Sequence, residues 1–491
     1  MDFSFDNTYA QLPERFYSKL SPTPVPSPQL IKVNTNLAQY LGLDPKHLCS
    51  REGVEILAGN LIPKGAEPLA MAYAGHQFGN WVPKLGDGRA ILLGEVKNLD
   101  GCRQDIQLKG AGPTPFSRMG DGRAVLGPVL REYIVSEAMA ALKIPTTRTL
   151  AALTTGERIQ REISVPGAIL VRVAQSHIRV GTFQYFLARR DLDALRILAD
   201  HVIERHYPEA KDCRNSYSEL LKLVIKRQAE LISKWQAVGF IHGVMNTDNT
   251  SVAGETIDYG PCAFMDNFNS QTVFSSIDQM GRYSYCNQPT IAQWNLTCFA
   301  ETLLPLISVK EEEALREAAD LINQFSSIYD ELYLKALRRK LGLKKELNED
   351  IGLIKDLFDC MQDNKADFTL TFRNLCEINI DNLVADGRMR RLFVKPKDFD
   401  LWVEKWRKRL SFEIADDQER KLDMKLVNPK FIPRNHRIEE VINAAVKDSD
   451  FSLFDQFLEV LMKPFNEHEK AIHFSLPPNP GEVVCETYCG T

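Results

Sequence analysis

The sequence predicts an α+β fold with a strand-rich N-terminal part and a large helical C-terminal region. Three observations predict it. Short apolar runs bounded by glycine, such as residues 90–96 and 168–173, fall between residues 68 and 174, and that is strand patterning. From about residue 190 apolar side chains recur at helical spacing, as in Leu220, Leu221, Val224, Ile225, Leu231 and Ile232,. An Asn- and Asp-rich stretch, residues 242–260, interrupts the helices, and such stretches form turns and loops.

Taken in order, the first 65 residues are mixed. Pro22, Pro24, Pro26 and Pro28 alternate with other residues, which excludes helix and central strand and predicts an extended arm. Residues 34–41 read as a short helix. Residues 68–110 read as strands and turns, with His76 as a structural hydrogen-bonding residue. Gly86, Asp87, Gly88 and Arg89 precede an apolar run. Such glycines let backbone N–H groups approach phosphate oxygens, and Arg89 could neutralise one. The same tetrad also suits a hairpin turn.

Residues 105–109 alternate, with Ile106 and Leu108 on one face and Gln107 and Lys109 on the other, so a half-buried strand is expected. Gly127 and Pro128 open the next helix, where Leu126, Leu130, Ile134 and Ala138 form an apolar stripe and Glu132 lies off it,. Gly120, Asp121, Gly122 and Arg123 repeat the earlier tetrad in between. Arg172 sits near the end of a strand and Arg179 follows seven residues later. A guanidinium pair of this kind can hold a polyphosphate or form surface salt bridges.

Helical spacing over residues 190–238 ends at Gly239, a plausible C-terminal cap. A short strand at residues 240–241 then delivers His242, expected to shape the loop from inside. Residues 287–475 read as mainly helical, and the Pro- and Gly-bearing end from 477 reads as a tail.

The loop carries the strongest chemical signal. Asp248 and Asn249 are adjacent, and Asp258 opens an Asp-Tyr-Gly triplet. The order His, Asp, Asn, then Asp-aromatic-Gly is that of protein-kinase catalytic loops, which supply a base and two metal ligands. A strand lysine paired with a glutamate of the next helix holds phosphates in the same folds, and Lys109 and Glu132 have the right order. An ordinary Asn/Asp turn also fits the loop alone.

The bulk properties bound the function. The 491 residues are 44% hydrophobic and 25% charged, with a formal net charge of −5, so two to four domain-sized units can form and no basic field points to nucleic acid. No apolar run approaches membrane-spanning length. Asp2 and Asp6 do not suit a basic presequence. Ten scattered cysteines, from Cys49 to Cys489, lack paired metal spacing, which predicts a reducing, cytoplasmic setting.

In sum these motifs resemble the selenoprotein O family of protein adenylyltransferases, whose bacterial members are also called YdiU. The matching stretches are residues 73–79 (YAGHQFG), 85–90 (LGDGRA), 108–112 (LKGAG), 120–124 (GDGRA), Arg131-Glu132, 242–249 (HGVMNTDN), 258–261 (DYGP) and 281–285 (GRYSY), with Asn287-Gln-Pro and 293–296 (QWNL). The likeness runs from about residue 10 to the C-terminus.

The resemblance implies a protein-kinase-like two-lobed fold: an extension (1–65), a nucleotide-binding N-lobe (66–180), a helical C-lobe with the catalytic loop (181–475) and a flexible cysteine-containing tail (476–491). It implies transfer of AMP from ATP, bound in a flipped orientation, to Ser, Thr or Tyr hydroxyls of proteins, with pyrophosphate leaving. By motif, Gly86, Gly88, Arg89, Asp121 and Gly122 would contact nucleotide. Lys109, Arg172 and Arg179 would hold the terminal phosphates, with Glu132 orienting Lys109. Asn249 and Asp258 would bind Mg2+ or Mn2+, and Asp248 would be the base. Some members end in a redox selenocysteine or paired cysteine. Here three residues separate Cys485 from Cys489, not the two of a redox Cys-x-x-Cys pair, and a disulfide from the tail to the segment bearing Cys262 and Cys286 is an open expectation. UMP transfer from UTP with Mn2+ and a nucleotide-binding pseudokinase scaffold are the alternatives. A monomer is expected, without nucleic-acid or membrane partners.

Overall fold

The computed structural model describes residues 3–380, 387–413 and 416–488. Its N-terminal part carries strands β1 (Tyr17–Lys19), β2 (Gln29–Val33) and β3 (Leu69–Met71), then β4 (Gly75–Gln77) and β5 (Asn80–Val82). After them come β6 (Ala90–Lys97), β7 (Arg103–Lys109), β8 (Ala124–Val125), β9 (Arg148–Gln160) and β10 (Ser164–Ala174). The main sheet is antiparallel in the order β1-β3-β6-β7-β10-β9-β2, with β8 also on β10, and β4 and β5 form a separate hairpin.

The two faces of the sheet do different work. Ile91, Leu93, Ile106, Leu108, Ile169 and Val171 point to one side and form a core with the short helices α1 (Thr35–Tyr40), α2 (Pro45–Leu48) and α3 (Arg51–Leu57). Burying each such side chain contributes about 1.5–3 kcal/mol. On the other side lies α4 (Leu126–Ala141). Register places Arg172 opposite Gln107 and Leu170 opposite Lys109, so Gln107, Lys109 and Arg172 share the face toward α4.

That face departs from expectation. Gln107 is fully buried and Lys109 only slightly exposed, so the strand is not half solvated. Helix α4 is buried on nearly all sides, Glu132 included, because α15 (Asn435–Asp448) and α16 (Ser452–Leu461) pack against it as well as β9 and β10. The polar side chains between sheet and helix are held inside the protein by one another.

The remaining helices begin with α5 (Val180–Leu187), α6 (Leu192–His206) and α7 (Ser216–Ala237). Strand β11 (Phe240–Ile241) pairs antiparallel with β12 (Ala263–Phe264), Phe240 opposite Phe264. This pair clamps both ends of the 242–262 loop. Helices α8 (Gln288–Ile307) and α9 (Glu311–Lys340) pack on α7. A second core unites α10 (Asp350–Asp363), α11 (Phe368–Leu375), α12 (Gly387–Arg390), α13 (Pro396–Leu410) and α14 (Asp417–Lys425), with Trp406 fully buried in it.

The proline arm forms neither helix nor strand over residues 20–28, and Arg123 donates to the carbonyls of Thr23 and Pro24 at 3.1 and 3.2 Å. The tail is not free of the body. Thr487 is 3% exposed, its N–H donates to Phe274 O at 2.7 Å and its hydroxyl to Pro261 O at 2.6 Å.

Candidate functional site

Between sheet, α4 and the clamped loop lies a cleft of about 760 Å³, within the range of small-ligand sites. Gly86, Gly88, Arg89, Lys109, Asp121, Gly122, Glu132, Arg172, Arg179, Asp248, Asn249 and Asp258 all line it. The chain thus gathers into one space residues drawn from positions 86 to 258.

Charge organises its floor. Lys109 Nζ donates to Glu132 Oε2 at 2.6 Å, and Arg172 donates to Glu132 Oε1 through Nε and Nη2 at 2.8 and 2.5 Å. Asp258 is the second anion. Its Oδ1 accepts from Arg172 at 2.7 Å and lies 3.4 Å from Lys109, and its Oδ2 accepts from Arg179 at 2.8 Å. Burial alone would raise the Asp258 carboxyl, but Arg172, Arg179 and Lys109 hold it well below the usual carboxylate range,. Three cations thus converge on Glu132 and Asp258, and preorganised cations of this kind suit a polyanion.

Backbone conformation delivers these groups. Asp258 has φ +62°, a left-handed geometry that Asp tolerates better than most residues. His242 holds the loop from within: its Nδ1 accepts from the Val244 N–H at 3.3 Å, so Nε2 carries the proton toward Ile257 O at 2.9 Å,. It also stacks on Trp235. The shaping role expected for it is the one it has. Arg179 precedes α5, lies over the Tyr73 ring at 4.5 Å, and donates to the Asp248 carbonyl at 2.8 Å.

Asp248 and Asn249 occupy the turn next to this cluster. Asp248 is 6% exposed. Its Oδ2 accepts from Gln77 at 3.2 Å, and its Oδ1 is buried without a hydrogen-bond partner among the described residues. Burial pushes its carboxyl up to about 6. Asn249 donates through Nδ2 to Val244 O at 3.0 Å, which leaves its amide oxygen as the free end.

The glycine loops pack tightly. A Cβ on Gly86 would lie 2.3 Å from the Phe116 ring, and one on Gly122 would lie 2.1 Å from the Gly112 backbone. Residues 83–89 form an irregular connection and not a hairpin turn. The Asp121 carboxylate is bonded to Arg161 at 2.7 and 3.0 Å and accepts the Arg123 N–H at 2.9 Å. His76 is half-buried, 2.9 Å from Gln184.

The model of the family described as protein adenylyltransferase SelO covers residues 1–462. This chain belongs to the SelO family. It is 58% identical to the protein nucleotidyltransferase YdiU of Bradyrhizobium diazoefficiens over 489 residues, spanning 100% of this chain and 99% of the relative. The YdiU proteins of Rhodopseudomonas palustris strain HaA2 and Rhizobium meliloti strain 1021 are 58% and 56% identical over the same shares. As a SelO-family protein it is a transferase of the nucleotidyltransferase class.

Several SelO-cleft residues escape sequence reading. Asp87 is 2% exposed, accepts from the Met71 N–H at 3.1 Å and Gln107 at 3.2 Å, and lies 3.8 Å from Arg179. Its place between two glycines was a usable signal, as was the position of Gln107 two residues before Lys109. Gln77 and Tyr73 fall within the matching stretch 73–79, but nothing local gives either a role, since the groups they meet in the cleft, Asp248 and Arg179, lie more than 100 residues away. Among the described residues Cys485 is a free, exposed thiol, as is Cys286, and Cys262 is buried. Cys489 lies outside the described residues. No helix among the described residues is long and apolar enough to cross a membrane.

Proposed function

We propose that this protein is a protein adenylyltransferase of protein-kinase-like two-lobed architecture. It moves AMP from ATP to Ser, Thr or Tyr hydroxyls of other proteins and releases pyrophosphate. The observation that carries this reading is the buried floor of Lys109, Arg172 and Arg179 around Asp258, beside a separate buried carboxylate, Asp248. Three preorganised cations deep in the cleft suit the β- and γ-phosphates, whose leaving charge they stabilise. ATP then lies flipped, with its α-phosphate toward Asp248. Asp248 accepts the hydroxyl proton, and burial gives it the basicity for that near neutral pH. Gly86, Gly88 and Arg89, with Asp121 and Gly122, line the path of the nucleotide.

The donors fit Mg2+ or Mn2+. The Asn249 amide oxygen and the Asp258 carboxylate are hard oxygen ligands, and ions of this kind are held by one or two carboxylates plus phosphates. When bound, such an ion neutralises phosphate charge.

The curated relatives are named nucleotidyltransferases without a stated base, which favours keeping UMP transfer from UTP as a second reading. The test uses ATP labelled at the α- or γ-phosphate, and α-labelled UTP, with Mg2+ or Mn2+ and a mixed protein substrate. Protein labelled from α-ATP only, and lost in Asp258→Ala, is the expected result. Label from γ-ATP would mean phosphoryl transfer. Label from α-UTP alone would mean UMP transfer, and nucleotide binding without label would mean a scaffold.

A further inference from the structure

The two oxygens of Asp248 are unequal. Oδ2 accepts from the Gln77 amide at 3.2 Å, whereas Oδ1 is buried without a hydrogen-bond partner among the described residues. An ionised carboxylate only accepts, so the nitrogen of the Gln77 amide is the end that faces it. Gln77 also lines the cleft.

Its place is strongly specified. The β4–β5 hairpin pairs Gln77 with Asn80 and His76 with Trp81. Two bonds latch it to the catalytic turn: His76 N–H to Thr247 Oγ1 at 2.7 Å and Phe78 N–H to Asn246 Oδ1 at 3.0 Å. Tyr283 donates to the same Asn246 oxygen at 2.6 Å. Gly75 lets the backbone come close, since a Cβ there would stand 2.7 Å from Asp248 Oδ1. A hairpin 171 residues upstream is thus built against one carboxylate.

We propose that Gln77 is a positioning residue for nucleotidyl transfer, holding the Asp248 carboxylate through Oδ2 in the orientation that serves the acceptor hydroxyl. This rests on the reading of Asp248 as the base. As the acceptor oxygen bonds to the α-phosphorus, its proton passes to the Asp248 carboxylate and the bond to pyrophosphate breaks, its electron pair leaving with pyrophosphate. A neutral amide suits the task. It orients the carboxylate without the ion pair that Lys or Arg would form there, which would weaken the base.

The test compares Gln77→Met, which keeps length without a donor, and Gln77→Glu, which keeps shape but only accepts. The readouts are kcat for transfer to a protein acceptor, nucleotide Kd and Tm. Base catalysis contributes about 10²–10⁴-fold. The expected result is a kcat loss of about 10–100-fold in Gln77→Met and more in Gln77→Glu, with Tm unchanged and Kd within about twofold. In an Asp248→Ala background Gln77→Met causes no further loss. Wild-type kcat in either single variant overturns the proposal. So does an equal loss in the Asp248→Ala background, or a parallel loss of nucleotide affinity. Wild-type kcat in Asp248→Ala alone would instead remove the base reading, whatever the Gln77 variants do.

Discussion

Individual side chains here are decided by what surrounds them more than by their type. Lys340 shows this outside the cleft. It ends α9, is 3% exposed, and stands over the rings of Phe372 and Phe368 at 4.3 and 5.9 Å. Burial pushes its ammonium down to about 7, against about 10.4 in an unfolded chain. Between these values the unfolded state binds more protons than the folded one, so this group makes stability rise with pH across that window. Below pH 7 its destabilising effect is fully present. Lys340→Met should raise Tm at pH 7 and remove a slope of roughly 1 kcal/mol per pH unit between pH 7 and 9, measured by denaturant melts in both proteins. Equal slopes would show that Lys340 stays charged in the folded protein. Burial pushes the Lys109 ammonium down as well, but there Glu132 and Asp258 favour its charged form and offset part of that effect.

At the scale of elements, the site depends on close backbone approach between segments. Helix α5 begins where the hairpin segment passes it: Ala74 N–H donates to Gly181 O at 3.0 Å, and a Cβ on Gly181 would stand 2.1 Å from Ala74 O. Arg179, two residues earlier, carries contacts to Asp258 and to the Asp248 backbone. Gly181→Ala should therefore push the two segments apart and move Arg179. Its stability should fall by about 1–3 kcal/mol, the usual effect of overpacking. Nucleotide affinity should fall by about tenfold or more, as for a lost charge-assisted contact. Calorimetric titration with ATP checks the second effect. Wild-type affinity would show that Arg179 holds its place without α5.

For the whole molecule, the cleft joins sheet, helix and loop elements that one hydrophobic core ties together. The sheet contributes Lys109 and Arg172, α4 contributes Glu132, and the loop clamped by β11 and β12 contributes Asp258. A ligand seated across them binds only the folded state and stabilises it by mass action. ATP with Mg2+ at 100 times its Kd should add about 2.7 kcal/mol. Lys109→Ala should lose most of that increment at the same ATP concentration. Thermal melts with and without nucleotide measure it. An undiminished shift in the variant would place the nucleotide elsewhere.

Much of this was legible without coordinates. Strand alternation, helical periodicity and the proline arm are local, and they determined the α+β class and most elements. The loop's His, Asp, Asn and Asp-Tyr-Gly order is local too, and it marked Asp248, Asn249 and Asp258. Lys109 and Glu132 were found as a pair because strand and helix are neighbours in the chain. What tertiary structure decided is burial and long-range pairing. The strand carrying Lys109 reads as half exposed, yet helices from the C-terminal third cover α4 and seal that face. Thr487 returns to Phe274 and Pro261, a contact that no pattern near residue 487 announces. Gln77 is an ordinary polar residue in a turn-rich stretch until a hairpin sets it against Asp248. Periodicity reports what a segment buries. Only the fold reports which distant group it is buried against, and that determines the charge and orientation of the site.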